Sequence, residues 1–309
     1  MTGERVGYLG PEGSFSHEAV TSLPGVSPVA VASIEDLLAA VSNGELDRAL
    51  VPIENAIEGT VSATIDALVF DHDLFIENEL VLPVRLHLLA RPGVALADVT
   101  TVLSYVHALA QCRVLIAGMG VATEQTTSTS EAARRVAESD EPIAAVGSAL
   151  AGELFGLVPL ARNVEDHPEN ATRVVVVGRD AIAAPSGHDR TTIVCFQDAD
   201  RPGSLYAILG RFAARDVNLT KLESRPTKRG LGDYCFVIEF EGHVADDVIA
   251  DCLADLQAHL ADVKFLGSYP VTGEEAAGVR AEVTRAREVA RDWVEGLRAR
   301  IPPMTRLDS

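Results

Sequence analysis

HPENATRVVVVGRDAIAAPSGHDR, His167 to Arg190, divides the chain. Val174 to Val177 are four β-branched apolar residues with no polar alternation, closed by Gly178, the pattern of a strand buried on both faces. Just ahead of them stand an amide, a hydroxyl and a fixed positive charge: Asn170, Thr172 and Arg173. Beyond them, residues 181–189 are small, contain Pro185 and Gly187 and lack periodicity, which is linker composition. The two sides of this linker read differently.

On the amino-terminal side, 1–180, short apolar runs alternate with helical patterns. RVGYLG precedes a helix from about Ser16, PVAVAS precedes IEDLLAAVSNGE, and RALVPIE precedes a helix from about Thr60 to Phe70. The alternation continues through TVLSYV, HALAQCRVLIAG, VATEQT, SEAARRVAES, PIAAVGS and ALAGELFG. This predicts an α/β domain with mostly parallel strands. The span is too short for an eight-fold barrel and suits two small open sheets. On the carboxyl-terminal side, 190–270, the order is strand, helix, strand, strand, helix, strand, the ferredoxin-like βαββαβ arrangement. A charged helix from about Glu274 to Arg300 and a Pro-containing tail fill 271–309.

The 309 residues are 47% apolar and 23% charged, with a formal net charge of −19. Such acidity argues against a nucleic-acid partner, which needs a basic face to displace counterions. It also means that an anionic substrate must be drawn in by a local positive group. No run approaches the roughly 20 apolar residues of a membrane span, and MTGERVGYLG lacks the layout of a signal peptide, so a cytoplasmic protein is expected. Cys112, Cys195, Cys235 and Cys252 show no CxxC spacing, and the histidines form no HxxH or HExxH pair. Buried thiols are therefore expected, with no metal site.

Four polar segments interrupt the apolar pattern. GPEGSFSHEA, from Gly10, joins the first strand to the first helix, where glycines let backbone N–H groups approach a carboxylate or phosphate and Ser14 can cap or donate. A tight turn with a serine cap fits the same pattern, and neither GxGxxG nor a P-loop is present. VPIENAIEGTV, from Val51, places Glu54, Asn55, Gly59 and Thr60 at the carboxyl end of a strand, the edge where open α/β sheets bind ligands. The third is the segment carrying Asn170, Thr172 and Arg173. In the fourth, Pro202 and Gly203 open a helix, and Asn218 to Pro226 hold a turn-flanked strand ending in ESRP.

GPEGSFS, VPIENAIEGTV, ALAQC at Ala108, NATR at Asn170, RPGSL at Arg201 and ESRP at Glu223 occur in this order from Arg5 to about Tyr269. Together they closely resemble the prephenate dehydratases, in the monofunctional form that carries a regulatory ACT domain. The resemblance implies a catalytic part like a type-2 periplasmic-binding protein, with two α/β lobes, the second at about 84–165, and prephenate in the cleft between them. It implies a homodimer or homotetramer, no cofactor, and L-phenylalanine as an effector at the ACT domain.

The implied reaction expels the ring hydroxyl and ring carboxylate of prephenate together, giving phenylpyruvate, carbon dioxide and water. Hydroxide leaves poorly, so a hydrogen-bond or proton donor is needed at that oxygen. The resemblance assigns the catalytic role to Thr172. It assigns a substrate carboxylate to Arg173 through its bidentate fork, and the lining of the cleft to Ser14, Glu54, Asn55, Gly59, Thr60 and Asn170. Glu54 is expected to carry a raised pKa. The effector is expected at Pro202, Gly203, Ser204 and Leu205, at Asn218 and Leu219, and at Glu223, Ser224, Arg225 and Pro226. Ala56, Val174 and Tyr105 depart from the Glu-Asn-Ser, Thr-Arg-Phe and Ser-His-Pro patterns of the family. An arogenate dehydratase, or a non-catalytic amino-acid-sensing binding protein on the same cleft fold, remains an alternative.

Overall fold

The computed structural model describes residues 3–197, 201–228, 230, 232–272 and 277–300. The first lobe begins β1 (Glu4–Leu9), α1 (Phe15–Thr21), β2 (Val26–Val31), α2 (Ile34–Ser42), β3 (Arg48–Asn55), β4 (Gly59–Thr60), α3 (Ser62–Asp66) and β5 (Phe75–Pro83). Helix α2 starts where Ser33 Oγ accepts from the Asp36 amide at 3.0 Å, and it buries Leu37, Leu38 and Val41, a serine cap ahead of an apolar stripe. The helix expected from Thr60 starts later: Thr60 pairs with Glu54 in a small hairpin, and α3 ends at Asp66 in a π-turn over Ala67–Asp71.

The chain then crosses to a second lobe: β6 (His87–Ala90), β7 (Thr101–Ser104), α4 (Val106–Ala110), α5 (Arg113–Met119), β8 (Ala122–Gln125), α6 (Thr129–Glu138), β9 (Ile143–Gly147), α7 (Ala149–Leu154) and β10 (Val158–Ala161). It returns as β11 (Ala171–Gly178), which slots between β3 and β5. The sheet orders are β2-β1-β3-β11-β5 and β8-β7-β9-β6-β10, so the lobes share one plan. In each of these orders four strands share one direction and the fifth runs antiparallel to both of its neighbours. Mostly parallel sheets were expected. The antiparallel members β11 and β6 are the crossing strands, which enter each sheet from the opposite lobe.

The C-terminal domain is β12 (Asp189–Phe196), α8 (Ser204–Ala213), β13 (Leu219–Pro226), β14 (Tyr234–Glu241), α9 (Asp247–His259) and β15 (Asp262–Pro270), in sheet order β13-β14-β12-β15. Its two helices cover one face through Ile208, Phe212, Ile249, Cys252 and Leu256 against Ile193, Cys195, Ile238 and Phe240. The other face is not free. Val194, Cys235, Val237, Leu266 and Tyr269 share a core with Ile76, Val175 and Val177 of the first lobe, each large buried side chain stabilising the seat by about 1.5–3 kcal/mol. The seat is close enough that a Cβ on Gly267 would strike the backbone of Ile76. Helix α10 (Ala277–Arg298) follows. The four thiols are buried, and burial pushes that of Cys112 up to about 12, with Asp166 and Glu165 adding to the effect. Among the described residues no helix is long and apolar enough to cross a membrane.

Candidate active site

Successive side chains of a strand point to opposite faces of its sheet. On β11 this separates Thr172 from Arg173. Thr172 pairs in register with Asn55 of β3, and Arg173 with Glu54. One face therefore carries Thr172 and Asn55, and the other carries Arg173 and Glu54.

On the Thr172 face Asn55 sets the geometry. Asn55 Nδ2 donates to Thr172 Oγ1 at 3.0 Å and to the Ala171 carbonyl at 3.3 Å, while Asn55 Oδ1 accepts from the amides of Ile57 and Glu58 at 3.0 and 3.1 Å. The two backbone donors fix which end of the amide is oxygen. Thr172 is thus an acceptor toward Asn55, and its own proton is left to be donated elsewhere. Asn170, two residues upstream, is buried and donates from Nδ2 to Gln111 Oε1 at 2.8 Å. Its Oδ1 is buried without a hydrogen-bond partner, a costly condition that a donor from a ligand would relieve. Gln111, which lies in the ALAQC segment, also accepts the Asp166 amide on its carbonyl.

The loop after β1 forms the meeting point of the lobes. Ser130 Oγ donates to the carbonyl of Glu12, and Ser148 Oγ donates to that of Gly13 at 2.9 Å. Gly13 has φ +81°, and a Cβ there would lie 2.9 Å from Ser130 Oγ, so both conformation and space call for glycine. Its amide donates to His17 Nδ1 at 3.0 Å, which leaves Nε2 as the protonated nitrogen of the neutral ring, stacked on Tyr8 with centroids 4.9 Å apart. Ser14 caps α1 by accepting from the His17 amide at 3.2 Å, and its hydroxyl donates to the Leu9 carbonyl at 3.0 Å. It shapes this loop rather than offering a free donor. Glu58, in the turn with Gly59, reaches His107 Nδ1 of the second lobe at 3.1 Å.

On the opposite face the expectation fails for three residues. Arg173 donates to both oxygens of Glu239 at 2.8 and 2.9 Å, to Glu54 at 3.0 Å and to Glu79 at 3.3 Å. Burial works against its charge, but Glu239, Tyr269 and Glu79 more than offset this and raise its pKa. The fork expected on a substrate carboxylate is thus engaged by carboxylates of the protein itself. Burial works to raise the Glu54 carboxyl, yet Lys221 and Arg173 together hold it below its ordinary value of 4.5, the reverse of the expected raised pKa. Thr60 Oγ1 donates to Glu223 Oε2 at 2.7 Å. Glu54, Thr60 and Arg173 all face the C-terminal domain, because they share the face that domain covers.

The expected effector residues divide in the same way. Gly203, at φ +89°, opens α8, where the Arg201 amide donates to Ser204 Oγ at 3.3 Å and Leu205 packs into the domain core. Pro202 lies in the exposed turn ahead of it, and the Asn218 carbonyl accepts the Glu241 amide just before Leu219. On β13 side chains alternate: Lys221, Glu223 and Arg225 turn inward, while Leu222, Ser224 and Pro226 stay exposed. Arg225 ion-pairs with Asp66 and donates to Ser62 Oγ at 3.1 Å. Glu223 and Arg225 are therefore committed to docking, and Ser224 and Pro226 keep the open face.

Gln111 and His17 lie in the ALAQC and GPEGSFSHEA segments, but the sequence reading gave neither a role in the site. It also passed over Glu79 and Glu239, each one of two carboxylates in its strand; both are buried, and a buried carboxylate requires a partner.

Residues 6–182 match the family described as Prephenate dehydratase, and residues 191–258 the ACT domain. The chain is 38% identical to the prephenate dehydratase of Mycolicibacterium vanbaalenii over 95% of its own length and 98% of the relative. A crystal structure of the prephenate dehydratase of Arthrobacter aurescens in complex with L-Phe superimposes with a TM-score of 0.82 at 36% identity, covering 95% of this chain and 99% of that one. A quorum-quenching acylase, GqqA, is similar with a TM-score of 0.80 at 32% identity, over 87% of this chain and 98% of that chain.

Proposed function

The chain belongs to the prephenate dehydratase family, and on that premise we propose that Thr172 serves the departing hydroxyl of prephenate in the cleft between the two lobes. It is a carbon–oxygen lyase with a C-terminal ACT domain. The observation that carries the assignment is the direction of the Asn55–Thr172 hydrogen bond. Because Asn55 occupies a lone pair of Oγ1, the hydroxyl proton of Thr172 points to whatever enters the cleft.

The step breaks two bonds. The C–COO⁻ bond cleaves to carbon dioxide, its electron pair completes the aromatic ring, and the C–OH bond cleaves with the oxygen taking its pair and a proton to leave as water. Threonine is too weak an acid to surrender its proton outright; it orients and hydrogen-bonds the leaving oxygen while a neighbouring acid or water supplies the proton. The buried Asn170 Oδ1 is the second polar point of the site. A ring carboxylate that must leave is better served by neutral donors than by an arginine that would overstabilise it, which agrees with the commitment of Arg173 elsewhere.

L-Phenylalanine is the proposed effector, supported by the L-Phe complex of the Arthrobacter aurescens relative. Its carboxylate would sit at the amino end of α8, between Gly203 and the exposed face of Ser224 and Pro226. Exposed Tyr206, Leu222 and Tyr234 in this domain suit the homodimer or homotetramer we propose, in the cytoplasm.

The deciding experiment incubates purified protein with prephenate and follows phenylpyruvate by ultraviolet absorbance, with and without L-phenylalanine. Arogenate and acylase assays run beside it. Turnover of prephenate is expected; turnover of arogenate alone, or acylase activity alone, would overturn the proposal.

A further inference from the structure

We infer that Arg173 is a positioning residue through which the ACT domain sets the geometry of Thr172. Only the kinetic readout of this inference rests on the dehydratase reading above.

Two cleft residues each have a neighbour, one residue along the same strand, that the ACT domain grips from the other face. On β11 the pair is Thr172 and Arg173, and Arg173 is held by Glu239 of β14. On β3 it is Asn55 and Glu54, and Glu54 lies 3.5 Å from Lys221 Nζ of β13. Lys221 and Glu239 are register partners in the ACT sheet, so both grips issue from one rung of one ladder. That rung belongs to the strand carrying Ser224 and Pro226.

The grip is firm where it has to be. Glu239 and Glu79 are 2% and 1% exposed, and Arg190 completes the cluster by donating to Glu79 at 2.7 Å. Removing one member of such a buried set strands the remaining charge, so the strands move with their partners rather than part from them. The β3–β11 ladder is also irregular at this point, its register shifting between Arg173 and Val174. A bulge re-aims the side chains beside it, so a small displacement of Arg173 changes the direction of Thr172. A shift of β13 or β14 against the first lobe therefore reaches the Asn55–Thr172 hydrogen bond without passing through the cleft.

The test uses the full chain, with Glu239→Gln and Lys221→Gln as the probes and Asp251→Asn as the control. Asp251 pairs with Arg215 within the ACT domain. The Thr172 methyl resonance is followed by ¹H–¹³C NMR; a loss of folded protein lowers the intensity of this signal but does not move it. Both probes are expected to shift the resonance and the control to leave it in place. In turnover, Glu239→Gln is expected to lower kcat about ten-fold with KM held within about three-fold, the mark of a group acting in the transition state rather than in binding. An unmoved Thr172 resonance in folded Glu239→Gln overturns the inference; should that variant fail to fold, an unmoved resonance in Lys221→Gln does the same. If the parent protein turns over no prephenate, the functional proposal fails while the NMR arm still decides the coupling.

Discussion

Asn55 and Thr172 face each other across β3 and β11, with Asn55 Nδ2 3.0 Å from Thr172 Oγ1 and the amide oxygen of Asn55 held by two backbone donors. The polarity of this contact is a property of the fold rather than of any ligand.

Reversing that polarity should disable the site without removing it. In Asn55→Asp the carboxylate can only accept, so the Thr172 proton turns toward it and away from the cleft. A fall in kcat of about 10²-fold is expected, comparable to loss of one aligned donor, with Thr172→Ala at least as damaging and Thr172→Ser retaining part of the rate. Steady-state kinetics on prephenate read all three, and full activity in Thr172→Ala would remove it from the mechanism.

Arg173→Met should act on stability before it acts on substrate. It leaves Arg190 as the one remaining cation of the cluster for the buried Glu239 and Glu79, and breaking such a buried set typically costs about 3–5 kcal/mol. Urea unfolding measures this loss. Combining it with Glu239→Leu should recover part of the loss, because the second change removes a stranded charge. If instead Arg173 held a substrate carboxylate, KM would rise with little change in the unfolding midpoint.

Gly267→Ala tests the seat of the ACT domain. Gly267 sits at φ +143°, and its missing Cβ makes room for the backbone of Ile76. Overpacking of this kind costs about 1–3 kcal/mol, and here it falls on the junction of two domains. Limited proteolysis should cut residues 181–188 faster in the variant than in the parent.

Acid should loosen the same junction. Burial works to raise Glu54 and Asp66, but Lys221 and Arg173 for the first, and Arg225 and Lys228 for the second, hold them below their ordinary values of 4.5 and 3.8. A depressed carboxyl contributes stability that is full above its unfolded pKa and is lost as pH falls through its folded pKa. Docking should therefore hold constant from neutral pH to just above 4.5 and weaken progressively below it. Glu54→Gln should flatten the acid limb of a plot of unfolding midpoint against pH.

Glu18 has the opposite sign. Burial, with Glu153 of the other lobe adding to it, raises its carboxyl above the ordinary 4.5. A raised acid costs nothing below its unfolded pKa and its full penalty above its folded one. Glu18→Gln should therefore raise the melting temperature at pH 7 and leave it unchanged at pH 4; equal effects at both would exclude the like-charge account.

Order along the chain was legible: the polar segments and the switch to βαββαβ are composition and periodicity. The facing of β11 was not. Val174 and Val176 enter a core with Tyr8, while Val175 and Val177 enter one with residues of the ACT sheet. A strand apolar on both faces carries no alternation from which to decide whether Thr172 or Arg173 meets the cleft. The same ambiguity put Glu54 and Thr60 on the wrong side. Their true partners, Lys221 and Glu223, lie more than 160 residues away, and nothing local announces them. The reversed direction of β6 and β11 could not be read locally either, since a strand inserted from the other lobe is antiparallel through topology, not through its own sequence.

Ten residues join Gly178, the end of β11, to Asp189, the start of β12. Such a tether keeps the ACT domain before its seat at an effective concentration of about millimolar. Contacts that would dissolve between separate molecules are sufficient here, so the ion pairs beside the apolar seat can shift without releasing the domain. A free ACT fragment, offered in trans at micromolar concentration, would meet the same surface without that advantage and fill it far less completely.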